Sequence, residues 1–149
     1  MKKLTAEWKS IMYKVLLDTN ILLDYLLTER PGNAAAQRIM EMTVEGQLTS
    51  YISPISLLNI FFILRKQRTE QERKEIIESL LEILDITDLD LNDLQSALYI
   101  PIDDYEDGVQ YISAVKIDVD FIITGDQQFQ KYDLELKMIS PEEFLTNYS

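Results

Sequence analysis

Short β-rich runs alternate with longer segments of 3.6-residue apolar periodicity from Tyr13 to the end of the chain. Residues 15–17 (VLL) read as a strand, and 20–27 continue as a helix that turns Ile21, Leu22, Tyr25 and Leu26 inward. After a break at 30–32, Asn33 caps a second helix that Gly46 stops, and 48–52 is the next strand. Ser53 with Pro54 is an N-cap followed by a first-turn proline, opening an apolar helix to about Lys66. Thr69 and Glu72 have capping-box spacing for a helix to about Leu84, and a short strand at 85–87 follows. Asp90 and Asp93 open a helical segment to about Tyr99, ended by Pro101. Asp103 and Glu106 repeat the capping spacing ahead of a helix to about Lys116. Residues 121–124 form a strand, 127–131 a helical turn and 137–139 a last strand, after which Ser140, Pro141 and Glu143 start the terminal helix. Such alternation predicts a parallel sheet covered on both faces.

In open α/β sheets ligands gather beyond the carboxyl ends of the strands. Asp18 and Asp126 follow two such ends, and Asp107 falls in the first turn of its helix, where the dipole tolerates a carboxylate. The three converge if the first and fourth strands are neighbours. With 149 residues, 46% of them hydrophobic, the chain suits one core: a single domain over 13–149 behind a polar, flexible lead at 1–12. It has no cysteine and no histidine, which excludes a disulfide framework, a thiolate nucleophile and a cysteine–histidine zinc site. Convergent aspartates at the edge of a core then need a hard divalent cation, Mg2+ or Mn2+. An ion so held would bind a scissile phosphate and activate water, so no side-chain nucleophile is required.

Asn20 is placed to orient a neighbouring carboxylate and Thr124 to support Asp126, while Asp104 is a candidate outer ligand. Each has a plainer reading. Asp18 and Asp126 serve as N-caps, Asp107 as first-turn charge, and Asp103 and Asp104 as capping or solvated positions. Asp24 is read as exposed and Tyr111 as packing. The net charge of −12 opposes nonspecific binding to a polyanion, so a nucleic-acid role needs local relief from the ion or from Arg65, Lys66 and Arg68 in a basic cluster that also includes Arg73 and Lys74. That cluster also fits a solvated helix end. No apolar run approaches the roughly 20 residues of a membrane span, and the first twelve residues lack an apolar signal core; a cytoplasmic location is expected. A phosphoacceptor receiver-type domain would need a lysine following the last strand, whereas Lys137 stands at its start.

VLLDTNILLDYL, DDYEDGVQYISA and DFIITGDQQF, in that order and at these separations, resemble the three acidic motifs of PIN domains, metal-dependent nucleases that include the VapC-type toxins. The similarity spans Tyr13 to about Leu145. It implies a three-layer α/β/α sandwich with a five-stranded parallel sheet, cleavage of RNA with magnesium or manganese, an antitoxin partner and a homodimer. It also implies that Asp18, Asp107 and Asp126 are the ligands, supported by Asn20 and Thr124. One position departs: Asn59 stands in the helix after the second strand where the family commonly has glutamate, and 47–69 contains no acid. Asn59 offers a carbonyl oxygen without charge. The alternatives are therefore an active endoribonuclease with altered metal demand, or a weakened or inactive PIN-like module that binds nucleic acid or protein.

Overall fold

The computed structural model describes residues 12–149, so the N-terminal lead lies outside the described residues except for an exposed Met12. The elements are β1 (Lys14–Leu17), α1 (Thr19–Leu26), α2 (Asn33–Val44), β2 (Thr49–Ile52), α3 (Pro54–Ile63), α4 (Glu70–Ile83), β3 (Asp85–Ile86), α5 (Leu91–Ser96), α6 (Tyr105–Lys116), β4 (Phe121–Ile123), α7 (Gln127–Gln130), β5 (Lys137–Ile139) and α8 (Pro141–Asn147). The five strands form one sheet in the order β3-β2-β1-β4-β5, with every pairing parallel. Leu16 pairs with Tyr51 on one side and Ile122 on the other, which makes β1 the centre of the sheet.

Period-two alternation sends successive strand residues into different cores. Val15, Leu17, Ile52, Ile123 and Ile139 face a larger core built with α1 to α4 and Phe144 of α8. Leu16, Ile122 and Met138 face a smaller one built with Tyr111 and Ala114 of α6 and Phe129 of α7. The molecule is thus a three-layer α/β/α sandwich with a five-stranded parallel sheet. The chain runs outward from β1 to β2 and β3, then crosses back to β4 beside β1. The strand order therefore reverses between β1 and β4, where such sheets open a crevice at their carboxyl ends.

Local chemistry explains most element boundaries. Ser53, Thr69 and Ser140 each accept a backbone N–H as N-caps, with Pro54 and Pro141 in the first turns that follow. Gly46 ends α2 at φ +77°, a conformation that a Cβ opposes.

Four expectations need correction. The N-cap of α2 is Gly32 rather than Asn33, whose amide instead donates to the Asp24 carbonyl at 2.8 Å. Asp24 is covered rather than exposed, paired with Arg30 Nε at 2.6 Å, and a Cβ on Gly32 would come within 2.2 Å of its carboxylate. The cap of α6 is Asp104 rather than Asp103, since it is Asp104 Oδ1 that accepts from Asp107 N at 3.0 Å. The apolar helix α3 stops at Ile63 and tightens into a 3-10 turn over Leu64–Lys66. Tyr111 is buried in the smaller core, and its hydroxyl accepts from Leu136 N at 3.2 Å.

Candidate functional site

Asp18 follows the last residue of β1, and its N–H still donates to Ile123 O at 3.0 Å, so the β1–β4 ladder holds its backbone. The side chain is only 6% exposed. Its Oδ1 accepts from Thr19 N at 2.8 Å and from Gln110 Nε2 at 2.7 Å. Its Oδ2 accepts from Thr124 Oγ1 at 2.7 Å and from Asn20 Nδ2 at 3.0 Å. Four donors occupy the roughly four lone-pair directions of a carboxylate, so Asp18 is rigid and fully solvated by protein.

Two of those donors tie the strand ends together. Asn20 Oδ1 accepts from Gly125 N at 2.8 Å, linking the loop after β1 to the loop after β4. Thr124, fully buried, also accepts from Asp126 N at 3.0 Å, which sets the backbone from which the Asp126 side chain projects. Asp126 caps α7 through Gln128 N at 2.9 Å. Asp18 likewise caps α1, so the capping reading of both residues and their presence at strand ends hold together.

The N-cap and first turn of α6 carry Asp104, Glu106 and Asp107. Burial, and then the charges of Asp18, Asp104, Asp126 and Glu106, push the Asp107 carboxyl up to about 7 from an ordinary 3.8. Burial also raises Glu106, against the hydrogen bond from Asn59, with Asp104 and Asp18 adding to the rise. Asp107 thus feels four other carboxylates at the switch point between β1 and β4.

Asn59 lies on α3, whose start is held to α1 by Thr19 Oγ1 donating to Ser56 Oγ at 2.7 Å. Its Nδ2 donates to Glu106 Oε1, 47 residues away along the chain. The basic residues lie elsewhere. Arg65, Lys66 and Arg68 are exposed in the turn at the far end of α3, about 15 Å of helix from its start. Arg65 stacks on Phe62, 3.8 Å from the ring centroid, and donates to Phe62 O at 3.0 Å, while Arg68 donates to Gln67 O.

Two residues escaped the sequence reading. Glu106 reads from its spacing only as a capping partner, and Gln110 carries no local motif. Gln110 is 1% exposed, and its Oε1 is buried without a hydrogen-bond partner. A polar residue one turn after Asp107, between Val109 and Tyr111 on a helix otherwise apolar there, was the available signal.

The donor set is all oxygen and strongly self-repelling, which fits a hard divalent cation. As placed, no three acidic side chains among the described residues are grouped tightly enough to grip one ion, and Asp18 has no acceptor position to spare. Binding therefore requires the carboxylates to draw in, with Asp18 releasing a donor or acting through water.

The PIN domain family model matches residues 14–128. Among solved structures, the DNA-bound VapBC from Salmonella typhimurium is similar with a TM-score of 0.65 at 16% identity, over 87% of this chain and 99% of that one. VapC20 of Mycobacterium tuberculosis, a sarcin–ricin loop cleaving toxin, gives 0.64 at 10% identity over 83% and 98%. A toxin–antitoxin complex from Klebsiella pneumoniae gives 0.62 at 18% identity over 85% and 97%. At these identities the likeness is one of fold. Comparison with curated proteins finds no significant match. Members of the PIN domain family are generally nucleases. With its family model covering well over half of the sequence and its strand order placing the acidic motifs at one sheet edge, the chain belongs to the PIN domain family.

Proposed function

We propose that this protein is a metal-dependent endoribonuclease, the toxin of a toxin–antitoxin module, with residues 13–149 forming its one catalytic domain. The observation that carries the proposal is the gathering of acids at the switch point: Asp18 and Asp126 follow the neighbouring strands β1 and β4 and are tied together through Thr124, and burial together with their charges raises the Asp107 carboxyl at the start of α6. Carboxylates arranged at such a cost favour a cationic ligand, and no histidine or lysine contacts them among the described residues.

Asp18, Asp107 and Asp126 are assigned as the Mg2+ or Mn2+ ligands, with Asp104 in an outer position. When bound, the ion supplies an activated water and neutralises charge on the scissile phosphate. The chain's own residues hold that arrangement. Asn20 and Thr124 fix the Asp18 carboxylate, and the Thr124 hydroxyl also fixes the backbone of Asp126. Arg65, Lys66 and Arg68 offer phosphate contacts to a longer RNA at the far end of α3, where the −12 net charge is locally relieved.

The test is cleavage of a mixed RNA substrate with manganese present. Asp126→Asn should abolish cleavage and leave the melting temperature unchanged or raised; a fully active variant defeats the assignment. One observation favours the competing reading of a PIN fold kept for binding: Asp18 is saturated by four protein donors while Asn59 brings no charge. Under that reading the wild type cleaves no RNA and takes up no manganese.

A further inference from the structure

The apolar residues of α3 are not all spent on the core. Leu58 is 71% exposed, and Phe62, one turn further along the same face, is 60% exposed. Beside them Pro54, Leu57, Leu58 and Phe61 of α3 face Lys74 and Ile77 of α4 across an open groove of about 450 Å3. Large apolar side chains left bare in one place mark a binding surface.

Five of the chain's fourteen lysines and arginines fall within residues 65–74, in the turn after α3 and the start of α4. Two of them are stacked on phenylalanines. The Arg65 guanidinium lies 3.8 Å from the Phe62 ring centroid, and that of Arg73 lies 4.2 Å from the Phe61 centroid. Each also donates to the backbone carbonyl of the residue it covers, at 3.0 and 2.8 Å, which fixes the stack. Among the described residues no acid is paired with Arg65, Lys66, Arg68 or Arg73, and Lys74 meets Glu70 at 3.6 Å. In a chain of net charge −12, cations gathered beside bare aromatic rings suit a polyanion that also carries planar rings.

We propose that this surface binds single-stranded RNA: an unpaired base stacks on the open face of Phe62, a neighbouring base enters the groove along Phe61, and Arg65, Lys66 and Lys74 meet the phosphates. The inference deepens the ribonuclease reading above and rests on it for the choice of RNA. Each ring gives one face to its arginine, so guanidinium, phenyl ring and base follow one another in layers. No side chain lining the groove carries an amide or hydroxyl to read a base edge, so the capture is tolerant of sequence, as stacking is. An acidic protein segment with apolar side chains would also meet cations around a groove. It has no need of the two guanidinium–ring stacks, which favour a planar ligand.

The test is fluorescence anisotropy of a labelled, unstructured RNA of mixed sequence titrated with the intact protein, with a chelator present so that cleavage does not enter. Phe62→Leu keeps the apolar bulk and removes the ring; it should weaken binding at least about fivefold, whereas Phe62→Tyr should stay within about twofold of the wild type. Both should melt with the wild type, because Phe62 is exposed. An abasic strand of the same length keeps the phosphates; it should bind at least about fivefold more weakly and be indifferent to Phe62→Leu. Lys66→Gln should lower the slope of log affinity against log salt by about 0.7. A folded Phe62→Leu variant with wild-type affinity, or an abasic strand bound as tightly as the intact RNA, overturns the inference. A wild type without affinity for the RNA also overturns it and leaves the groove to an acidic protein segment. Cleavage with manganese is read separately. Cleavage without the Phe62 effect removes this surface and leaves the ribonuclease reading standing, whereas the Phe62 effect without cleavage supports this surface and counts against catalysis alone.

Discussion

Replacing Asp107 with Asn should stabilise the metal-free protein, by an amount that grows as pH rises from about 4 to about 7 and is then constant. The folded state holds the Asp107 proton up to about 7, whereas the ordinary value is 3.8. Folded protein therefore binds more protons than unfolded chain in this interval. Stability falls as pH rises from about 4 through 7, then levels off. The gap between 3.8 and about 7 would cost about 4 kcal/mol at most, at about 1.4 kcal/mol per pH unit. Asp107 is only partly buried, so solvent screening and the favourable helix N-terminus reduce this to about 2 kcal/mol. The Asn variant keeps the backbone bond from residue 107 to Asp104 Oδ1 and removes the charge. Urea unfolding with a chelator present measures the difference. At about pH 8.5 the variant's midpoint should lie about 1 M above the wild type's, given a slope near 2 kcal/mol per M. Near pH 4 the two midpoints should nearly coincide. A variant that is less stable at pH 8.5, or one that gains the same amount at both pH values, would refute the reasoning, because the gain must follow the titration of Asp107.

Other expectations follow from the same contacts. Thr124→Val removes a donor to Asp18 and the acceptor for Asp126 N, so it should cost about 1–3 kcal/mol in urea unfolding without changing the fold by circular dichroism. Phe144→Ala empties the fully buried centre of the aromatic group formed with Tyr13, Phe121 and Tyr148 and should cost about 3–5 kcal/mol, with manganese affinity unchanged in the folded fraction. Saturating manganese should raise the melting temperature of the wild type more at pH 8 than near pH 5, since ligand carboxylates must be ionised to bind.

Elements governed by neighbouring residues were readable from the sequence. Ser53–Pro54, Thr69 with Glu72, and Ser140–Pro141 each open the helix their spacing predicts, because capping acts within three residues. Apolar runs ending in an acid located Asp18 and Asp126 at the ends of β1 and β4, since buried parallel strands are continuous in apolar residues. Choices between adjacent candidates were not readable. Asp103 and Asp104 are equally good caps in isolation, and the packing of α6 against α5 selects Asp104; Gly108, whose Cβ would meet Ala97 O at 3.3 Å, reflects how close the two helices lie. Asn33 satisfies the Asp24 carbonyl rather than its own helix, which depends on the loop folding back on α1. The contacts of Glu106 with Asn59 and of Gln110 with Asp18 join positions 47 and 92 residues apart. They exist only once β4 has been inserted beside β1, a fact of strand order that no local pattern encodes.

If the acidic edge of the β1–β4 crevice is a metal site, one titration decides it: manganese into the purified protein and into Asp126→Asn, followed calorimetrically without any assumption about substrate. Saturable binding by the wild type, lost in a folded Asp126→Asn variant, is the predicted result. No binding by the wild type, or equal binding by both proteins, would contradict a site built on Asp18, Asp107 and Asp126.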